Sequence, residues 1–138
     1  MSKPQAHIRL DFSGTCSVGP GKIGLLEGIE RTGSLSAAAR ALGMSYRRAW
    51  LLLHSTNEGF QLPVVELSVG GKDGGGTRLT DFGRRLIADY RSFEAAVDEL
   101  ASRAFSGVGV ASESAHEAQR LYRQLNRPVR PKASSSNG

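Results

Sequence analysis

The chain is predicted to be mainly α with a small β-hairpin (α+β), ending in a long helix; three features of its 138 residues predict this. In "GSLSAAARALGMSYRRAWLLL", residues 33–53, two alanine- and leucine-rich runs flank a Gly-Met-Ser break, the pattern of two helices joined by a tight turn. The extended segments "VVELSV" and "TRLT" lie on either side of "GGKDGGG", which reads as one hairpin with a glycine tip over residues 64–80. From Asp81 to about Phe105, Phe82, Leu86, Tyr90, Phe93, Val97 and Leu100 recur at helical spacing.

Taken in order, "HIRLDF" alternates Ile8, Leu10 and Phe12 with polar residues, as a half-buried strand does. "SGTCSVGPG" reads as a loop. Pro20 opens a first helix, whose stripe is Ile23, Leu26 and Ile29 with Leu25 on its flank; Thr32-Gly33 ends it. Ser34 can cap the next helix, with Leu35, Ala38, Ala39 and Leu42 facing inward, and Gly43 supplies the left-handed residue that ends it. Ser45 is a second cap, for a helix from Tyr46 to about Thr56 with Tyr46, Ala49, Trp50 and Leu53 on one side. That spacing assigns Trp50 to the core and leaves Tyr46 open between core and surface. The run Leu51-Leu52-Leu53 cannot be buried by one helix face, so one of the three is expected to lie against a nucleic-acid partner or to be poorly covered. Val65, Leu67 and Val69 fall on one alternating face of the hairpin. Thr80 can cap the long helix, which at 25 residues would extend about 37 Å, further than a domain of this size can cover. A second subunit is the economical cover for the remainder. Ala115, Ala118, Leu121, Tyr122 and Leu125 suit one more short helix, and "RPVRPKASSSNG" has the composition of a disordered tail.

A formal charge of +5 leans towards a polyanionic partner, but the excess is spread unevenly. Residues 1–105 hold 13 Lys and Arg against 11 Asp and Glu, and residues 106–138 hold five against two. No apolar run approaches a membrane span, and "MSKPQAHIRLDF" lacks the apolar core of a secretory signal. The single cysteine, Cys16, excludes an internal disulfide, fits a reducing cytoplasm and reads as a small core side chain rather than a redox sensor.

A helix, a tight turn and a helix followed by a hairpin is the order of a winged helix–turn–helix, which lays its second helix in the major groove. Ala37, Ala38 and Ala39 supply the small residues that a close helix crossing needs. Arg47 and Arg48 then stand where base-edge contacts originate, suited to guanine or to phosphate, whereas an Arg pair on an ordinary helix is only a solvated face. Lys72 and Arg78 bring charge to the wing. "GGKDGGG" is no P-loop, because its lysine precedes the glycines and extended chain follows. His7, His54 and His116 are isolated, so no metal site is expected, and neither a triad nor paired carboxylates mark catalytic residues.

"GSLSAAARALGMSYRRAW", followed by "VVELSVGGKDGGGTRLTDFGRRLIADY", resembles the N-terminal DNA-binding domain of the ModE family of molybdate-responsive transcriptional regulators, over about residues 7–106. The helix–turn–helix part is shared more loosely with LysR-type regulators; "GGKDGGGTRLTDFGRRLI" is more particular. The resemblance implies a winged helix–turn–helix with a long C-terminal dimerisation helix, bound as a dimer to a pseudo-palindromic operator. It implies that Ser45, Tyr46, Arg47 and Arg48 open the recognition helix. Gly70, Gly71, Lys72, Gly74, Gly75 and Gly76 would form the wing tip. Full-length members continue into two small β-barrels that bind molybdate or tungstate. The 33 residues after Phe105 are too few for one, so molybdate binding by this chain is not expected.

The expected protein is therefore a cytoplasmic, homodimeric regulator of molybdenum-related genes that binds double-stranded DNA. It has no cofactor, metal or catalytic residue. Residues 1–80 form the DNA-binding domain, 81–106 the dimerisation helix (pairing through 81–105) and 107–138 a short helix and basic tail. Two alternatives remain open. One is a protein-interaction module that co-assembles with a full-length regulator; the other is an oxyanion sensed at a subunit interface.

Overall fold

The computed structural model describes residues 3–68 and 76–128. In chain order the elements are β1 (Leu10–Ser13), β2 (Cys16–Val18), α1 (Pro20–Thr32), α2 (Leu35–Ala41), α3 (Tyr46–Gly59), β3 (Val65–Ser68), β4 (Gly76–Leu79), α4 (Asp81–Ala104) and α5 (Glu113–Leu125). This is the expected winged helix–turn–helix with a long helix after the wing, plus one element the sequence did not announce. The supposed loop after β1 turns back at Gly14 and becomes β2, pairing antiparallel with β1 from Leu10↔Val18 to Ser13↔Cys16. Its three residues, with only Cys16 and Val18 buried, are too few for a period-two pattern to stand out.

Pro4–Phe105 form one compact unit. Its centre is α1, which packs against α2, α3, α4, β2 and β4. Ile23, Leu25, Leu26 and Ile29 are essentially dry there, each burial stabilising by about 1.5–3 kcal/mol. Val18 of β2, Leu35, Ala38 and Ala39 of α2, Ala49 and Leu53 of α3, Val64, Val65 and Leu79 at the hairpin base, and Ile87 and Tyr90 of α4 complete the core.

Two expected core residues, Leu42 and Trp50, lie outside it, and so does Leu67 of the hairpin's apolar face. Leu42 is exposed because it is the C-cap of α2, where the chain has already left the helical stripe. Trp50 sits at the edge of the buried side of α3, which narrows to Ala49, Leu53 and Thr56. Leu67 is 71% exposed because β4, not β3, lies against α1: its cross-strand partner Thr77 is the residue that is buried there and bonded to Gly33 O. Val69, Gly70, Gly71, Lys72, Gly74 and Gly75 lie outside the described residues, whereas Gly76, expected in the tip, begins β4 and pairs with Ser68.

Long-range polar bonds fasten α4. The Thr80 hydroxyl donates to Pro63 O at 2.7 Å and accepts from the Gly83 N–H, so one side chain both caps α4 and ties it to the hairpin entry. Tyr90 donates to Ile8 O at 2.7 Å, and burial raises its pKa above the usual phenol value. Arg91 holds Glu27 of α1 at 2.5 and 3.2 Å and Glu94 at 2.8 Å; these bonds, led by Glu27, hold the guanidinium still more firmly charged. Beyond Tyr90 the apolar stripe loses its cover, as the helix length predicts: Phe93 and Leu100 are exposed.

A second unit begins at Ser106. In it Ser112 caps α5, and Leu121, Tyr122 and Leu125 are exposed along the helix. The Ser-rich end of the tail, expected to be disordered, lies outside the described residues.

Candidate nucleic-acid interface

The helix–turn–helix depends on two backbone requirements. Gly28 of α1 faces Ala38 of α2 so closely that a Cβ on Gly28 would come 3.0 Å from the Ala38 Cβ; small residues set this crossing. Gly43 then takes φ 66°, the left-handed conformation that ends α2, and its N–H donates to Arg40 O. Two residues later Ser45 restarts the helix, its hydroxyl accepting the Arg48 N–H at 3.2 Å. A tight turn closed at both ends thus fixes where the first turn of α3 points.

That first turn is open. Ser45, Tyr46, Arg47 and Arg48 are all exposed. Among the described residues, neither Arg47 nor Arg48 has a carboxylate within 4 Å, so both guanidiniums are available to a partner. The helix N-terminus adds partial positive charge. Further along α3, Trp50 stacks on His54 with ring centroids 4.9 Å apart and planes 6° from parallel. Leu51 is 51% exposed; it is the uncovered member of the leucine run.

The hairpin stands beside α3. Asn57 Oδ1 accepts the N–H groups of Val64 and Val65 at 2.8 and 3.3 Å, joining α3 to the entry of β3. The Thr77 N–H donates to Gly33 O, joining β4 to the end of α1. Between them runs a groove of about 200 Å³, lined by Tyr46, Trp50 and His54 on one side and Leu67 and Thr77 on the other.

Alternation along β4 separates the expected contacts. Thr77 and Leu79 turn inward, so Arg78 lies on the other face, directly across from Glu66. It lines a hollow with Leu62, Pro63 and Arg84, not the groove beside α3. The structure therefore groups Ser45, Tyr46, Arg47 and Arg48, and sets Arg78 apart on the hairpin's outer side. Lys72 lies outside the described residues.

His54 is not among the expected contacts, and Trp50 is expected in the core; the leucine run, by contrast, marks one member for the nucleic-acid side or for poor cover, and Leu51 is the exposed one. Nothing local marks Asn57 as the link between helix and hairpin.

This face falls within a region shared with known regulators. Azotobacter vinelandii has a molybdenum transport protein ModE that is 40% identical over 102 residues, 71% of this chain and 38% of that protein. The matched region is homologous to ModE. A molybdenum-pterin-binding protein, MopB, of Rhodobacter capsulatus is 47% identical over 85 residues, 62% of this chain and 32% of its own length. The DNA-binding transcriptional dual regulator ModE of Escherichia coli K12 is 42% identical over 71 residues, 51% of this chain and 27% of its own. The matches thus cover about a third of each ModE or Mop relative. No protein-family model matches the chain. Among the described residues, no helix is long and apolar enough to cross a membrane.

Proposed function

We propose that this protein is a sequence-specific DNA-binding transcriptional regulator that works as a homodimer, in the cytoplasm, on molybdenum-related genes. One observation carries the reading: the capped first turn of α3 presents Arg47 and Arg48 without ionic partners among the described residues, in a region homologous to ModE. In this reading Ser45 and Tyr46 meet the backbone at the mouth of the groove, and the two arginines meet base edges or phosphate. Lys72 and Arg78 contact phosphate or minor groove from the hairpin, with Glu66 partly offsetting Arg78. Residues 1–80 bind DNA, 81–106 pair two subunits along the uncovered stripe of α4, and 107–138 append a short helix and a basic tail.

The test is fluorescence anisotropy across a salt series, using the promoter of a molybdate-uptake operon beside a scrambled duplex. Arg48→Ala is expected to cost about 1–3 kcal/mol on the promoter and to narrow its advantage over the scrambled control. Lys72→Ala should weaken both duplexes alike and lower the salt slope by about one. Equal losses for Arg48→Ala on both duplexes would count against base reading.

The exposed stripe of α4 favours a second reading, in which the chain co-assembles with a longer regulator through residues 81–105. Association that ignores salt and persists without DNA would favour it.

A further inference from the structure

We propose that Leu51, flanked by the stacked Trp50 and His54, is a thymine-reading surface that takes the C5-methyl group in the major groove. This rests on the DNA-binding reading and adds which base the helix selects.

Arg47, Leu51, His54 and Glu58 follow one another at intervals of four, three and four residues, so they share one face of α3, opposite buried Ala49, Leu53 and Thr56. All four are exposed. A large aliphatic side chain at the centre of that face contributes nothing to the core; Leu53 is the leucine that packs inward, with Leu52 partly buried against the core. Trp50 is 46% exposed and rests on the His54 ring, a firm apolar shoulder beside Leu51.

Charge order along the face says what covers it. Arg47 and Arg48 stand at its N-terminal end without carboxylates nearby among the described residues, and Glu58 stands at its C-terminal end. A polyanion is drawn to the first turns and repelled from the last. Leu51 lies one turn from Arg47, about 6 Å along the axis, or roughly two base steps. Within that reach the major groove offers one apolar group, the thymine methyl, to which apolar side chains pack. Charge complementarity and apolar exposure together therefore point to thymine one or two steps from the arginine contact.

The test uses the full chain and the tightest duplex it recovers from a random-sequence pool, synthesised once with thymine and once with deoxyuridine, which lacks only the methyl. Wild type is expected to bind the uracil form about fourfold more weakly per contacted thymine, the worth of one buried methyl-sized group. Leu51→Ala, a change at an exposed position, should keep the wild-type circular dichroism, bind the thymine form more weakly and treat the two duplexes alike. Fluorescence of Trp50, the single tryptophan, should change when the thymine duplex binds. Equal wild-type affinity for both duplexes, or an unchanged thymine-to-uracil ratio in Leu51→Ala, overturns the inference while leaving DNA binding intact. Recovery of no duplex at all would sink the DNA-binding reading and this inference with it. A salt-insensitive protein partner captured by the same face, with no preference for thymine, would also overturn it.

Discussion

The two halves of α4 carry the same helical periodicity and lie in different surroundings. Over Asp81–Tyr90 the helix is capped by Thr80, bonded to Pro63 and buried through Ile87 and Tyr90. Over Arg91–Ala104 the stripe continues as Phe93, Val97 and Leu100, and Leu100 is 61% exposed. The reason is reach. A helix of 24 residues spans about 36 Å, while α1, α2 and α3, at 13, 7 and 14 residues, end well short of that. An apolar groove of about 470 Å³, lined by Leu10, Phe12, Phe82, Leu86 and Phe93, marks where cover gives way. Spacing alone therefore states which residues share a face; the length of the neighbouring elements states which of them become dry.

The contrast can be broken most sharply at Ile87. Ile87→Ala leaves a cavity between α4 and the core and is expected to cost about 2–5 kcal/mol in thermal or urea unfolding. A loss below about 1 kcal/mol would show that the first half is not anchored as described. A milder probe is alkaline titration. The folded chain raises the Tyr90 pKa by burial, so the stabilisation is complete below the unfolded phenol value near 10 and is lost as pH rises through the folded one. Unfolding free energy should therefore fall above about pH 10, and Tyr90→Phe should flatten that fall while removing the bond to Ile8 O, at a cost of about 1 kcal/mol near neutrality. The smallest expected effect on the monomer lies in the second half. Leu100→Glu should change dilute-solution stability by less than about 0.5 kcal/mol, as surface substitutions do. In the proposed dimer it should nevertheless shift sedimentation from two subunits to one. No change in sedimentation would remove α4 from the pairing.

Much of the helix–turn–helix could be read from local chemistry. Ser34, Ser45 and Thr80 each accept the N–H expected of a cap, and Gly33 and Gly43 end helices in the left-handed conformation. Ser45, Tyr46, Arg47 and Arg48 stand exposed on one turn because Ser45 begins it. Arg78 was harder to place. Its neighbours along the strand do not say which face is covered, and the register with Glu66 turns it away from α3. Trp50 shows the same gap. Its spacing matches Ala49 and Leu53, but Val65 and Thr77 approach from one side only and leave a groove over the indole.

Helix starts, stops and faces follow from contacts within about four residues, whose geometry the peptide unit and a capping hydroxyl already constrain. Those features were set by composition and order along the chain. Burial depends instead on segments that meet across long stretches of sequence: Tyr90 finds Ile8 from 82 positions away, and Arg91 finds Glu27 from 64. No local rule measures such distances. The dryness of Ile87, the exposure of Leu51 and Leu100, and the outward turn of Arg78 arise only once the helices and the two hairpins are packed, because covering an apolar surface requires a second surface of matching extent.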